Sequence, residues 1–170
     1  MTDNPSRGIL IAILAVAILN LVGTGMQIAL TLRSPSATHI AASDATQALP
    51  KRYTSTALTE IANRVVVPYN LQDPDAFYKV FDDIARNQIP RDKFDKQLAE
   101  LASLVGKVES VSFSGSQKQQ SQGQLDMYQL NYVVRLSGKN LQNGVMTINV
   151  VDRESGPGIV GFFINARTQQ

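Results

Sequence analysis

The sequence contains no cysteine and only one histidine among its 170 residues. The missing cysteine excludes disulfide bonds, thiolate zinc sites, a cysteine nucleophile and a lipoprotein cysteine. The histidine, His39, lies before the part of the chain that is able to build a core. A Ser-His-Asp triad or a histidine acid or base in that part is excluded as well. We expect no metal site and no cofactor, since the glycines also lack a phosphate-binding spacing.

The chain has little net charge of either sign. Its 16 lysines and arginines and 14 aspartates and glutamates leave a formal charge of +2. The basic residues of the middle region are interleaved with acidic ones, so nucleic-acid binding has little support. With 44% hydrophobic and 18% charged residues, wholesale disorder is excluded.

The longest uncharged run covers residues 8–32, between Arg7 and Arg33. About 20 apolar residues cross a bilayer as a helix, so this run predicts a transmembrane helix after a short tail, residues 1–7. A cleaved signal peptide is the alternative, but its apolar core is usually about 7–15 residues long. The length of the run favours the anchor.

One face of this helix carries polar side chains at helical spacing: Asn20, Thr24, Gln27 and Thr31, with Gly23 close by. Polar and small residues suit contacts between membrane helices, which would make this face a docking stripe for another integral membrane subunit or a second copy. A helix end that tolerates mild polarity explains the pattern equally well, and both interpretations stay open.

Residues 33–52 are small and polar, which is typical of a linker, and residues 53–167 form the predicted domain. The first predicted helix carries Leu58, Ile61 and Val65 and ends at Pro68. The second begins at Asp73-Pro74 and has one apolar face, and the third runs from Pro90 to a stop at Gly106. The faces of the second and third helices are formed by Phe77, Val80, Phe81 and Ile84, and by Phe94, Leu98, Leu101 and Val105.

The apolar period then changes from 3.6 to 2, which indicates strands. Alternation is clearest from Tyr128 to Leu136, and it recurs around Val111 and Met146. Residues 159–166 are a short, nearly continuous apolar run, which predicts a fourth strand. The separators, including the Gln-rich residues 117–124, are predicted as turns, the Gln-rich one as a mobile hairpin loop. Helices followed by about four antiparallel strands predict an α+β domain with its helices on one face of the sheet.

The run FYKVFDDIARNQIPRDKFDKQLAELASLVGKVESV, followed by four strands that end in GIVGFFI, resembles the nuclear transport factor 2-like superfamily. It looks most like small bacterial extracytoplasmic members of uncharacterised function. The resemblance implies a cone-like domain between a curved sheet and the helices. Some members are assembly factors of bacterial secretion machines with one N-terminal transmembrane helix, the layout of this chain.

The resemblance implies a single-pass protein of the bacterial inner membrane with a periplasmic domain. The positive charges after the anchor, Arg33, Lys51 and Arg52, favour the opposite orientation slightly when compared with Arg7. We expect a non-catalytic accessory or assembly subunit of a membrane complex, with other membrane subunits or a second copy as partners and with the bilayer contacted by residues 8–32. Fold alone does not give this function.

Two further functions remain as alternatives. The first is a membrane-tethered binder of a small apolar ligand, in a cone lined by Phe77, Phe81, Tyr128 and Tyr132. The second is an enzyme that uses Asp126 as a base, since Asp126, Tyr128 and Tyr132 share one face of the clearest strand. Asp82 and Asp83 diverge by about 100° on a helix, so we expect them on a solvated face rather than in one site.

Overall fold

The computed structural model describes residues 49–122 and 125–168. The predicted transmembrane helix, its polar face from Asn20 to Thr31 and most of the linker lie outside the described residues. Within the described ranges, no helix combines the length and the apolar character that a membrane crossing requires.

Helix α1 covers Ser55–Leu71 and is capped by Thr54, whose hydroxyl oxygen accepts a hydrogen bond from the N–H of Ala57 at 3.2 Å. The expected end at Pro68 is wrong, because the helix continues for three more residues. A proline in the last turn removes only one intrahelical hydrogen bond, and this loss does not stop a helix that packs well. The chain leaves the helix at Gln72, which has a φ of 55°.

The second predicted helix is interrupted. Helix α2 covers Pro74–Val80 and α3 covers Asp83–Arg86. Between them Phe81 is extended and forms a parallel bridge with Ile159 of the sheet, and the N–H of Asp82 donates to the carbonyl of Ile159 at 2.7 Å. The expectation of one continuous apolar face is therefore wrong, because this contact with the sheet replaces a helical turn.

Helix α4 covers Arg91–Val105 and buries the predicted residues Phe94, Leu98, Leu101 and Val105. It starts after Pro90 and stops at Gly106, as expected. Gly106 has a φ of 70°, which favours glycine.

The four strands form one antiparallel sheet in the order β1-β2-β3-β4, which confirms the predicted meander. The prediction of a loop at residues 117–124 is wrong up to Gln122, because β1 continues to that residue and pairs with β2. Glutamines can occupy strand positions when a partner strand supplies the ladder of hydrogen bonds. The strands are β1 Val108–Gln122, β2 Leu125–Leu136, β3 Leu141–Arg153 and β4 Gly156–Thr168.

The helices pack on one face of the sheet, here called the inner face. Along β2 buried residues alternate with residues that are exposed or half-buried, as expected for a sheet covered on one side. The inner face and the helices share one hydrophobic core, to which the strands contribute Tyr128, Leu130, Tyr132, Val134, Met146, Ile148, Val150, Phe162 and Ile164. The opposite side is called the outer face.

Candidate functional site

Two of the predicted pocket residues, Phe77 and Phe81, lie in a packed aromatic cluster. Their ring centroids are 5.4 Å apart in an edge-to-face arrangement. The Phe77 ring also lies 5.6 Å from that of Phe94 and 5.5 Å from that of Phe162. These are ordinary distances for aromatic rings that fill a core. The two phenylalanines therefore face other rings.

Tyr132 and Tyr128 lie on the inner face of β2, as the alternation predicts. The Tyr132 hydroxyl donates to the carbonyl of Leu58 at 2.9 Å, and burial raises the pKa of this tyrosine. The Tyr128 ring lies 5.7 Å from that of Tyr53. Among the ring contacts of the described residues, none joins these tyrosines to Phe77 or Phe81. The four residues thus belong to different parts of one core.

Asp126 is paired with Lys118 across β1 and β2. The Lys118 Nζ lies 3.0 Å from Asp126 Oδ2, and the two side chains are 34% and 43% exposed. The hydrogen bond to Asp126 raises the pKa of Lys118. Burial, followed by the charge of Asp126, raises the pKa of Tyr128. If Asp126 acted as a base, it would have to do so while its carboxylate is paired with the ammonium group of Lys118.

A second carboxylate, Asp152, joins the start of the domain to the sheet, a contact that the sequence did not reveal. The Tyr53 hydroxyl donates to Asp152 Oδ1 at 3.0 Å, and the Arg52 guanidinium pairs with Oδ2. The Asp152 side chain is only 8% exposed. Burial, followed by the charge of Asp152, raises the pKa of Tyr53. Arg52, assigned to the end of the linker, is therefore held by the domain.

Asp82 does not lie on a solvated helix face. It precedes α3, its side chain is 12% exposed, and Arg153 pairs with both of its carboxylate oxygens. Only Asp83 follows the expectation, since its side chain is exposed and pairs with Arg86. The difference arises because the break at Phe81 turns Asp82 towards the β3–β4 hairpin.

The outer face carries an uncharged surface that no helix of the described ranges covers. Three rows of paired residues, which cross β2 at Gln129, Asn131 and Val133, contain only uncharged residues on all four strands. We define the amide face as the side chains of Gln119, Gln129, Asn131, Thr147, Asn149 and Phe163.

Hydrogen bonds connect the amide face into a chain. Gln119 Nε2 donates to Gln129 Oε1 at 3.0 Å, and Gln129 Nε2 donates to Asn131 Oδ1 at 3.1 Å. The Thr147 hydroxyl donates to the same Asn131 oxygen at 3.0 Å. The polar groups are thus held in fixed positions across three strands.

Asn149 and Phe163 lie next to this chain. In the described part of the protein, Asn149 Oδ1 is the one buried side-chain oxygen without a hydrogen-bond partner. Both side chains lie over Gly161, where an added Cβ would be 3.0 Å from Asn149 Nδ2 and 3.4 Å from Phe163 Cε2. The Phe163 ring therefore leans along the sheet.

Other concave features lie away from the predicted residues. A groove of about 190 Å³ lies between the end of α1 and α4, next to Tyr69 and Leu98. A larger depression of about 660 Å³ lies beside Gly106 and Gly138. Within the described ranges, no cluster of three or more histidines, aspartates or glutamates is arranged to hold a metal ion.

No protein-family model and no curated protein matches the chain. Among solved structures, Bd1075 of Bdellovibrio bacteriovorus is similar to it, with 15% identity and a TM-score of 0.43 over 68% of this chain. A candidate aromatic ring hydroxylase from Novosphingobium aromaticivorans is similar over 65% of this chain and 87% of its own, with 12% identity and a TM-score of 0.43. The matched part spans 41% of Bd1075. Both likenesses are distant.

Proposed function

We propose that this protein is a single-pass accessory subunit of a bacterial membrane complex, with a domain that docks to a partner and catalyses no reaction. The observation that carries the proposal is the contrast between the two faces of the sheet. The inner face is covered by helices, whereas the outer face has three uncharged rows of residues and is not covered by any described helix. Side chains on such a face are available for contact with a partner, because no helix of the described ranges covers them.

The anchor supports the same function. Residues 8–32 are long enough to cross a bilayer, and the face with Asn20, Thr24 and Gln27 suits contact with another membrane helix. In this proposal the anchor binds the complex and the domain extends into the periplasm. The contacts of Arg52 and Tyr53 with Asp152 would then fix the end of the linker to strand β3.

The two alternatives have less support. A ligand in the cone would have to displace the ring contacts of Phe77 and Phe81 or the Tyr132 hydrogen bond to Leu58. An enzyme that uses Asp126 would have to break its ion pair with Lys118. We therefore place the ligand binder second and the enzyme third.

We also propose that the domain belongs to the nuclear transport factor 2-like superfamily. Helices that precede a four-stranded antiparallel sheet support this assignment, as does the last strand, which contains Gly161-Phe162-Phe163-Ile164.

The test is a mild-detergent pull-down of the full-length tagged protein. Wild type is compared with a stripe variant that carries Asn20→Leu, Thr24→Leu and Gln27→Leu. A matched control carries Val22→Leu, Met26→Leu and Ala29→Leu, which lie on other faces of the predicted helix. We expect defined membrane partners with wild type and control, and their loss with the stripe variant.

Two results would contradict the proposal. If wild type elutes without partners, it is not a subunit of a stable complex. If the stripe variant and its control retain the same partners, the polar face of the anchor does not hold them.

A further inference from the structure

We infer that the amide face binds a neutral polyhydroxylated polymer, a glycan chain laid across the strands. This inference rests on the proposed docking role of the domain and names the partner of its outer face. It does not depend on which proteins the anchor contacts.

The charge distribution is the first argument. The rows through Gln129, Asn131 and Val133 hold no charged residue, and charge returns in the next row, at Arg135 and Arg167. An acidic polymer would be expected to meet lysines and arginines at its contact surface. An uncharged surface instead fits a ligand that is polar and neutral.

The amides supply the second argument. Each carboxamide has two N–H donors and an oxygen with two lone pairs, so the bonds among Gln119, Gln129 and Asn131 use only part of their capacity. Neighbouring hydroxyl groups of a sugar also donate and accept together. Because the side chains are already held in place, little conformational entropy is lost when such a ligand binds.

Phe163 supplies the third argument. It is half-buried and leans along the sheet over Gly161, beside Asn149. The flat face of an aromatic ring is an apolar platform for the C–H face of a sugar ring. A polar row next to such a ring matches a ligand whose rings have polar edges and apolar faces.

The size of the face argues against a second copy of this chain as the occupant. From ordinary strand spacing and rise, the three rows cover about 15 Å in each direction, or about 225 Å². A stable protein interface buries about 800 Å² per partner. The uncharged rows thus suit a narrow polymer better than a second sheet.

The test uses the full-length protein in lipid nanodiscs, because maltoside detergents carry sugars themselves. Cellotetraose, tetra-N-acetylchitotetraose and maltotetraose are titrated by calorimetry, with polygalacturonate as the acidic comparison. Asn131→Leu removes the centre of the hydrogen-bonded chain, and Thr147→Val removes one hydroxyl with little change of shape. Asn140→Leu, in the exposed β2–β3 connection, is the matched control.

We expect at least one neutral oligosaccharide to bind with an affinity that hardly changes with salt. Asn131→Leu should weaken it by about tenfold, Thr147→Val by several-fold and Asn140→Leu by less than twofold. Circular dichroism establishes that each variant is folded, and Thr147→Val keeps the test decisive if Asn131→Leu unfolds.

Three outcomes would overturn the inference: no binding of any neutral probe at millimolar concentration, equal binding by all folded variants, or tighter binding of polygalacturonate. Self-association that Val133→Lys abolishes and Val67→Lys preserves would assign the face to a second copy instead. These valines are matched controls, with 53% and 54% exposure. If no glycan binds but the full-length protein still recovers its membrane partners, this inference fails and the proposed function stands.

Discussion

Arg153 donates to both carboxylate oxygens of Asp82, from Nε to Oδ2 at 3.0 Å and from Nη2 to Oδ1 at 2.8 Å. Asp82 lies between α2 and α3, whereas Arg153 ends β3. The Asp82 carboxylate also accepts a hydrogen bond from the N–H of Ile84 at 3.0 Å, which caps α3. This residue pair therefore fixes the interrupted helix against the β3–β4 hairpin.

Asp82→Asn should lower the free energy of unfolding by about 1–2 kcal/mol, because the amide keeps the cap on α3 but loses the charge that pairs with Arg153. The expected loss is modest because the Arg153 side chain is 36% exposed, and contact with water weakens the ion pair. Chemical denaturation of the full-length protein in nanodiscs, followed by circular dichroism, measures the change. The control Asp83→Asn should change it by less than about 0.5 kcal/mol. Equal effects of the two variants would contradict this role of Asp82.

The same pair predicts a dependence on pH. Burial raises the pKa of Asp82, but the hydrogen bonds from Arg153 and Ile84 outweigh burial and leave it below its usual value of 3.8. Because the pKa is lower in the folded state, the stabilisation is present above pH 3.8 and is lost as the pH falls through the folded pKa. The stability difference between wild type and Asp82→Asn should therefore shrink in acid. A difference that stays constant down to the acid transition would show that ionisation of Asp82 is not involved.

Local signals in the sequence were sufficient for much of the fold. Helix α4 could be predicted because Pro90, the repeated apolar residues and Gly106 all lie within the helix or next to it. The meander could be predicted because strand alternation and short connections are also local. The shared face of Tyr128 and Tyr132 follows from the same alternation.

The remaining features depend on residues far apart in the chain. The break at Phe81 results from its pairing with Ile159, and the Tyr53 contact joins residues 99 positions apart. The amide face depends on the register of β1 with β2, in a stretch whose glutamines predicted a loop. A single sequence contains no signal for such pairings, so these parts of the candidate site could not be predicted.

The contact between Tyr53 and Asp152 should stabilise the start of the domain. Tyr53→Phe removes the hydroxyl that donates to Asp152 but keeps the ring beside Tyr128, so we expect a loss of about 0.5–1.5 kcal/mol. A double-mutant cycle with Asp152→Ala, which removes the acceptor oxygens, isolates this contact from the ion pair between Asp152 and Arg52. Additive effects of the two substitutions would show that the hydrogen bond contributes nothing to stability.

The buried tyrosines predict sensitivity to alkali. Burial raises the pKa of Tyr53, Tyr69 and Tyr132 above the usual value of 10.0, and Asp152 contributes at Tyr53. Since the folded state holds these phenols neutral, stability is complete below pH 10.0 and falls as the unfolded state ionises above it. We expect part of the phenolate absorbance to arise together with the loss of ellipticity. Ionisation of all five tyrosines in a folded protein would contradict this prediction.

Asn149 and Asn131 should respond in opposite directions to the same substitution. Asn149 Oδ1 is buried without a partner in the described part of the protein, whereas Asn131 Oδ1 accepts hydrogen bonds from Gln129 and Thr147. A buried oxygen without a partner loses its hydrogen bonds to water and gains none within the protein. Leucine has nearly the shape of asparagine and carries no polar group that needs a partner. We therefore expect Asn149→Leu to raise the free energy of unfolding by about 1 kcal/mol and Asn131→Leu to lower it by about 1–2 kcal/mol. Denaturation under the same conditions measures both, and equal losses would mean that the Asn149 oxygen is hydrogen-bonded in solution.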